Sequence, residues 1–245
     1  MNKDDNPLPQ YNFQKGALLL VDKPKDWTSF DVVNKIRSKI RYQLGIKKIK
    51  VGHSGTLDPM ATGLMIVCTG KFTKKLHDLQ GLSKEYTGTF TLGATTPSYD
   101  AETEVDATYS TEQIDSALLE QARKQFLGAI EQVPPMFSAI KVDGQPLYKK
   151  ARKGVVLDIK PRPVSIEAFD MTDIRMPEID FRVACSKGTY IRSLAYDFGK
   201  ALQSGAYLSA LRRTKVGDFR IEDAWNLEDL VQYIEGGENA LSIAS

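Results

Sequence analysis

The sequence predicts an α+β fold, and three observations carry that reading. Short apolar or alternating runs of strand length recur at 17–21, 64–68, 84–93 and 179–185. Amphipathic patterns of helical period stand between and after them, at 28–40, 110–128, 189–205 and 227–234. The two kinds of segment lack the regular strand–helix–strand spacing of a doubly wound parallel sheet. The 245 residues are 42% hydrophobic, which is ample for a packed core. No internal repeat and no convincing linker divides the chain, so 1–245 reads as a single domain.

Each element has a local reason. Ala17–Val21 is a buried strand, stopped by the turn signal Asp22-Lys23-Pro24-Lys25-Asp26. Thr28 or Ser29 then caps a helix with Asp31 in its first turn. Its apolar face is Val32, Val33, Ile36 and Ile40. The opposite face carries Lys35, Arg37, Lys39 and Arg41, followed by Lys47, Lys48 and Lys50, with no acidic residue between Asp31 and Asp58. A one-signed run can be a solvated face, and it is also what a phosphate backbone selects. Leu64–Cys68 is a core strand closed by Gly70. In 84–93, Tyr86, Phe90 and Leu92 alternate with threonines. The acidic segment 100–106 reads as a surface loop. Ser110 or Thr111 caps a helix with Ile114, Leu118, Ala122 and Phe126 on one face, ending near Gly128.

From Pro134 to Arg162 the character changes. Tyr148, Lys149, Lys150, Arg152, Lys153, Lys160 and Arg162 interleave with glycines and prolines. This reads as a basic, functional loop, or as a short helix over 148–154 with an ordinary lysine-rich surface. Ile179, Phe181, Val183 and Cys185 form a half-buried strand. It runs into a helix that Thr189 would cap, with Ile191, Ala195, Phe198 and Leu202 inward. The last helix covers Leu227 to Ile234.

The stretch 51–64 draws attention first. Gly52, Gly55 and Gly63 bracket one carboxylate, Asp58, and Pro59 stiffens the backbone immediately after it. An acid on so spare a turn is placed for use, or it caps a helix beginning at Pro59. Other classes are excluded more firmly. Cys68 and Cys185 are too far apart for a Cys-x-x-Cys pair, and with only His53 and His77 no zinc spacing exists. Thr56 stands where the nucleophile elbow of a serine hydrolase needs glycine. The Pro-Cys-x-x-Cys signature of a zinc base deaminase is missing. The polar start, 1–14, lacks the pattern of a secretory signal, and no apolar run spans a bilayer. A soluble cytoplasmic protein is expected.

Taken in order, Asp22-Lys23-Pro24, Gly52-His53-Ser54-Gly55-Thr56-Leu57-Asp58-Pro59-Met60-Ala61-Thr62-Gly63, Lys84-Glu85-Tyr86 and Lys187-Gly188-Thr189-Tyr190-Ile191-Arg192 resemble one family. It is the bacterial tRNA pseudouridine synthase B family, whose hallmark Gly-His-x-Gly-Thr-Leu-Asp-Pro-x-Ala-x-Gly residues 52–63 follow throughout. The likeness runs from Gly16 to about Leu230. It implies a mixed, largely antiparallel central sheet flanked by helices, with a catalytic cleft and a basic thumb loop at about 134–162. It implies isomerisation of uridine 55 in the tRNA T loop to pseudouridine, without cofactor or metal. Asp58 would be the nucleophile, Tyr86 would stack on the target base, and Tyr190 and Arg192 would flank the base and pair with the aspartate. His53, Leu211 and Lys23 would line the substrate pocket. The partner implied is the T arm, with no membrane, no obligate protein partner and a monomeric state.

The chemistry suits these residue types. A carboxylate can split cleavage of the glycosidic bond and re-formation through carbon into two easier steps by a covalent adduct. An arginine keeps such a carboxylate ionised and aimed. Base flipping costs a few kcal/mol, and stacking on an aromatic ring returns about 1–3 kcal/mol. One departure is expected: with the chain ending at Ser245, no room remains for a small C-terminal RNA-binding domain of PUA type. Grip would then rest on the thumb loop and the 35–50 face, and binding would be weaker or more salt-sensitive. The alternative is a non-catalytic tRNA-binding or tRNA-folding protein that keeps the same cleft.

Overall fold

The computed structural model describes residues 11–142, 144–155 and 157–236. The first ten residues and the last nine, which include most of the polar start and the end at Ser245, lie outside the described residues. The chain divides into two compact units, one drawn from Met1–Leu82 and Arg213–Ser245, the other from Ser83–Arg212. The fold class is as expected: mixed, with mostly antiparallel strands and helices around them.

In the first unit, strand Leu18–Lys23 pairs antiparallel with Thr62–Thr69, from Leu18 opposite Cys68 to Lys23 opposite Gly63. Trp225–Asn226 lies parallel on its other side, and Val51–His53 pairs antiparallel with the far end of Thr62–Thr69. Both faces of Thr62–Thr69 are covered, with Gly63 to Thr69 buried throughout. This explains why its sequence is a continuous apolar run instead of an alternation. Leu64, Ile66, Cys68 and Val216 form the centre of one core layer, packed by Leu18, Leu20, Phe72 and Leu76. Helix Ser29–Gln43 begins at a full capping box, in which the Thr28 side chain accepts from the Asp31 N–H and Asp31 reaches back to the Thr28 N–H. Val32, Val33, Ile36 and Ile40 are buried, as the periodicity predicts. The helix packs on Leu227–Ile234, and Lys39 is ion-paired with Glu235.

In the second unit, Lys84–Leu92, Glu178–Cys185, Arg162–Arg175 and Gly128–Gln132 lie in that order, every pair antiparallel. Phe90, Phe169, Phe181 and Phe198 meet in its core, with Phe90 stacked on Phe181 at a centroid distance of 4.2 Å. The alternation in 84–93 and 178–185 is reproduced by burial. Strand Ala206–Val216 begins in this unit and ends in the first.

Several expectations needed correction. The helix expected over 110–128 is Ser116–Lys124, because the Asp115 carboxylate accepts from the Leu118 N–H at 2.8 Å and makes the stronger cap. Thr111–Ile114 is a turn closed by a 3.0 Å backbone hydrogen bond. The cap expected at Thr189 lies one residue on, at Tyr190, while the Thr189 hydroxyl donates to the Ser186 carbonyl at 3.0 Å. No helix starts at Pro59, for 59–60 is a turn that leads directly into Thr62–Thr69. Segment 100–106 is not wholly a surface loop, since Asp100 is fully buried. Of the basic stretch 134–162, residues 141–142 and 145–146 pair as a short hairpin and Leu147–Ala151 is a helix; residues 143 and 156 lie outside the described residues.

Candidate active site

Asp58 is held by a turn braced from several directions within the first unit. The Ser29 hydroxyl, beside the helix cap, donates to the Leu57 carbonyl at 3.1 Å and accepts from the Leu57 N–H at 2.8 Å. The Lys23 ammonium reaches the Pro59 carbonyl at 3.1 Å, and the Asp26 N–H donates to the same oxygen at 2.9 Å. The Ala61 N–H closes the turn on the Asp58 carbonyl at 3.1 Å. On the N-terminal side, the Ser54 N–H donates to Ile66 at 3.0 Å. Leu57 and Ala61 are buried while Asp58 between them is partly exposed. The backbone is therefore fixed on both sides of an acidic residue that is only partly buried.

Arg213 completes the brace. The residue is 2% exposed, and Nε donates to the Leu64 carbonyl at 2.7 Å while a terminal nitrogen donates to the Gly55 carbonyl at 3.2 Å. Gly63, at φ +108°, permits this approach: a Cβ there would lie 2.3 Å from the Arg213 carbonyl oxygen. The glycines at 55 and 63 are thus where an arginine from a distant strand comes close.

Lys23 is fully buried, with all three ammonium protons spoken for: Trp27 at 2.6 Å, Pro24 at 2.9 Å and Pro59 at 3.1 Å, all carbonyls. Burial pulls its pKa down to about 8, against the opposing effect of Asp26 and Asp58. This lysine acts on the turn from underneath. Burial likewise holds His53 below the usual imidazole range. The Gly55 N–H points at its Nδ1 from 3.3 Å, which makes Nδ1 an acceptor and leaves the ring proton on Nε2.

The second unit carries the other candidates. Tyr86 sits near the start of Lys84–Leu92, opposite Val183, and is 9% exposed. Tyr190 is the N-cap of helix Ile191–Ala201, and the Gln132 side chain clasps its backbone: Tyr190 N–H to Oε1 at 2.8 Å and Nε2 to the Tyr190 carbonyl at 3.0 Å. Leu211, in strand Ala206–Val216, is 8% exposed. Arg192 is 4% exposed, and its Nε lies 3.4 Å from Oδ2 of fully buried Asp100. A second guanidinium nitrogen approaches the Ser98 carbonyl at 3.4 Å.

Three residues with evident roles escape a reading of the sequence. Arg213 reads as one of two adjacent arginines, Asp100 as part of an acidic loop, and Gln132 as an ordinary polar position. Each acts on a segment far away in sequence, so no local pattern marks it. Among the described residues no group of three or more His, Cys, Asp or Glu side chains is placed to hold a metal ion.

Residues 41–191 match the TruB family pseudouridylate synthase (N terminal domain), and residues 192–242 match the tRNA pseudouridylate synthase B C-terminal domain. A pseudouridine synthase is the class this defines. Within it, the chain belongs to the TruB family. It is 58% identical over 213 residues to the tRNA pseudouridine synthase B of Flavobacterium johnsoniae, covering 86% of this chain and 93% of the relative. Its identity to the enzyme of the same name from Phocaeicola vulgatus is 54% over 227 residues, covering 93% and 97%. A chain from the crystal structure of a Cbf5–Nop10–Gar1 complex shares the fold, with a TM-score of 0.69 and 30% identity. The match covers 93% of this chain and 56% of that one, so this chain spans little more than half of that relative.

Proposed function

We propose that the protein isomerises uridine 55 in the T loop of tRNA to pseudouridine, with Asp58 as nucleophile. The observation that carries this reading is the Asp58 turn, a partly exposed acidic residue whose flanking backbone is fixed by Ser29, Lys23 and Asp26. The name shared by the relatives supports tRNA as the substrate class. Action in the cytoplasm, on tRNA, is part of the same proposal; among the described residues no helix is long and apolar enough to cross a membrane.

The reaction needs no net redox change. A carboxylate oxygen of Asp58 adds to the substrate, the bond between ribose C1′ and uracil N1 breaks, and the freed uracil turns to present C5. A C5–C1′ bond then forms, C5 gives up its proton, N1 gains one, and the carboxylate is released. Arg192 serves as the cation that keeps Asp58 ionised, with Asp100 and the Ser98 carbonyl setting its place. Tyr86 stacks on the flipped base and takes up the C5 proton. Tyr190 and Leu211 flank the base, and neutral His53 positions the RNA. Lys23 supports binding through the turn that it holds. The exposed cations Lys149, Arg152, Lys153 and Lys160 grip the phosphates.

The test is incubation of the Asp58→Ala variant with a T-arm stem-loop, followed by chemical detection of pseudouridine at each uridine. Turnover should vanish while binding of the stem-loop stays nearly unchanged. Retained turnover would overturn the role of Asp58, and modification at a different uridine would overturn the assignment to position 55.

A further inference from the structure

Two neighbouring residues of one loop, Tyr99 and Asp100, engage two residues one turn apart on helix Ile191–Ala201. The Tyr99 ring stacks on Tyr196, with centroids 4.1 Å apart and planes 16° from parallel. Asp100 pairs with Arg192 at 3.4 Å. Arg192 and Tyr196 are four residues apart and so share a helix face.

In extended backbone, successive side chains point to opposite sides. Adjacent residues can then reach the same helix only if the chain departs from extension between them. Tyr99 makes that departure: its φ is +63°, in the left-handed region that a bulky side chain seldom occupies. The departure is clamped on both sides. The Tyr99 N–H donates to Thr96 at 3.1 Å, the Leu208 N–H donates to the Tyr99 carbonyl at 3.0 Å, and the Ala101 N–H donates to Leu208 at 3.1 Å. Such strain persists where the surroundings over-determine it, and it clusters at functional sites.

The Asp100 carboxylate makes the consequence specific. Oδ1 accepts from the Ser98 hydroxyl at 2.6 Å and from the Glu102 N–H at 3.0 Å. Oδ2 is buried with no hydrogen bond among the described residues, and the Arg192 guanidinium is its ionic partner. Any rotation of the loop about Tyr99 therefore moves Oδ2 relative to Arg192 directly.

We infer that the Tyr99–Tyr196 stack is a positioning device for Arg192. The stack holds the left-handed turn, the turn aims Asp100, and Asp100 sets the guanidinium. Both tyrosines are positioning residues that touch neither substrate nor the reacting atoms. The inference rests on the proposed role of Arg192 in catalysis.

Single-turnover pseudouridine formation in a T-arm stem-loop, with stem-loop affinity measured alongside, tests it on the full chain. Tyr99→Ala should slow the rate constant about 10- to 100-fold, the scale set by misplacing a catalytic group by about 1 Å. Affinity should stay within about two-fold, Tyr99→Phe should restore the rate, and Tyr196→Leu should reproduce the loss if Tyr99→Ala folds poorly. In an Arg192→Lys background, Tyr99→Ala should add less than about two-fold, as expected of residues acting as one unit. A full multiplicative loss in that background, a loss confined to affinity, or a Tyr99→Phe variant as slow as Tyr99→Ala would each overturn the inference. If Arg192→Lys alone turned over at the wild-type rate while Tyr99→Ala was slow, the role of Arg192 would fall instead, and that pattern is distinct from the others.

Discussion

Replacing Asp100 by alanine tests whether the buried ion pair matters to the fold as well as to the site. Asp100 is fully buried and Arg192 is 4% exposed, so removing the acid takes away the carboxylate 3.4 Å from a guanidinium in a dry place. Breaking one partner of such a pair costs about 3–5 kcal/mol. The contact here is a 3.4 Å approach in which Oδ2 accepts no hydrogen bond, which argues for the low end, about 3 kcal/mol for the pair. The Glu102 N–H also loses its acceptor, adding about 1 kcal/mol, while the Ser98 hydroxyl keeps the Thr103 hydroxyl at 2.7 Å. For a chain of this size each kcal/mol shifts the melting temperature by about 2–4 °C, so the variant should melt about 8–16 °C lower. Both tryptophans, Trp27 and Trp225, lie in the first unit, so their fluorescence is a poor reporter of the unit that holds Asp100. Calorimetry or far-ultraviolet circular dichroism is the appropriate assay. Asp100→Asn keeps the shape and loses the charge, so it should fall between wild type and alanine. A shift below about 3 °C for Asp100→Ala would refute the reasoning, because the pair would then not be the dry, mutually dependent contact described.

Four further outcomes follow from the geometry. Lys23 has a folded pKa of about 8 against 10.5 in the open chain, so the cost of burying its ammonium holds below pH 8 and is relieved as the pH rises towards 10.5. The neutral amine has too few protons for its three carbonyls; turnover should therefore fall above about pH 8 while this group's contribution to stability rises, and parallel loss of activity and melting temperature would contradict that. Gly63→Ala places a Cβ 2.3 Å from the Arg213 carbonyl at a φ of +108°, so chemical denaturation should show a loss of about 2–4 kcal/mol, and a neutral result would mean the brace yields easily. Tyr86→Phe should keep stem-loop binding and stall turnover, whereas a near-normal rate would make the hydroxyl dispensable. Charge reversal at Lys149 and Lys150 should flatten the dependence of log affinity on log salt, and an unchanged slope would move the RNA footprint elsewhere.

The sequence by itself determined the local features. Thr28 and Asp31 mark a helix start that the structure realises as a full capping box, and the alternation around Tyr86 and Phe181 becomes the burial pattern of paired strands. The glycine-bracketed Asp58 was visible as a placed acid, and the ordered motifs around it pointed to the family. These signals are legible because a cap, a period or a turn is written in residues only a few positions apart. Strand Arg162–Arg175 was not legible. It carries Glu167, Asp170 and Asp173, and a register shift between Ile166 and Ala168 breaks the two-residue period on which recognition of a strand depends. Ala206–Val216 was hidden by its own arginines, one of which, Arg213, turned out to be core.

What holds Asp58 in place was decided only in three dimensions. The capping alternative for Asp58 ended when Thr62–Thr69 proved to be a strand running antiparallel to Leu18–Lys23. Arg213 reaches Leu64 across 149 positions, while Lys23 bonds Pro59 across 36. Such contacts obey no period, since they depend on which buried carbonyl or carboxylate the folded chain leaves in need of a partner. An arginine or lysine looks the same in sequence whether it faces water or satisfies a buried oxygen, and only burial tells the two apart. The sequence identified the acid; the folded chain supplied the buried cations and carbonyls that fix its turn.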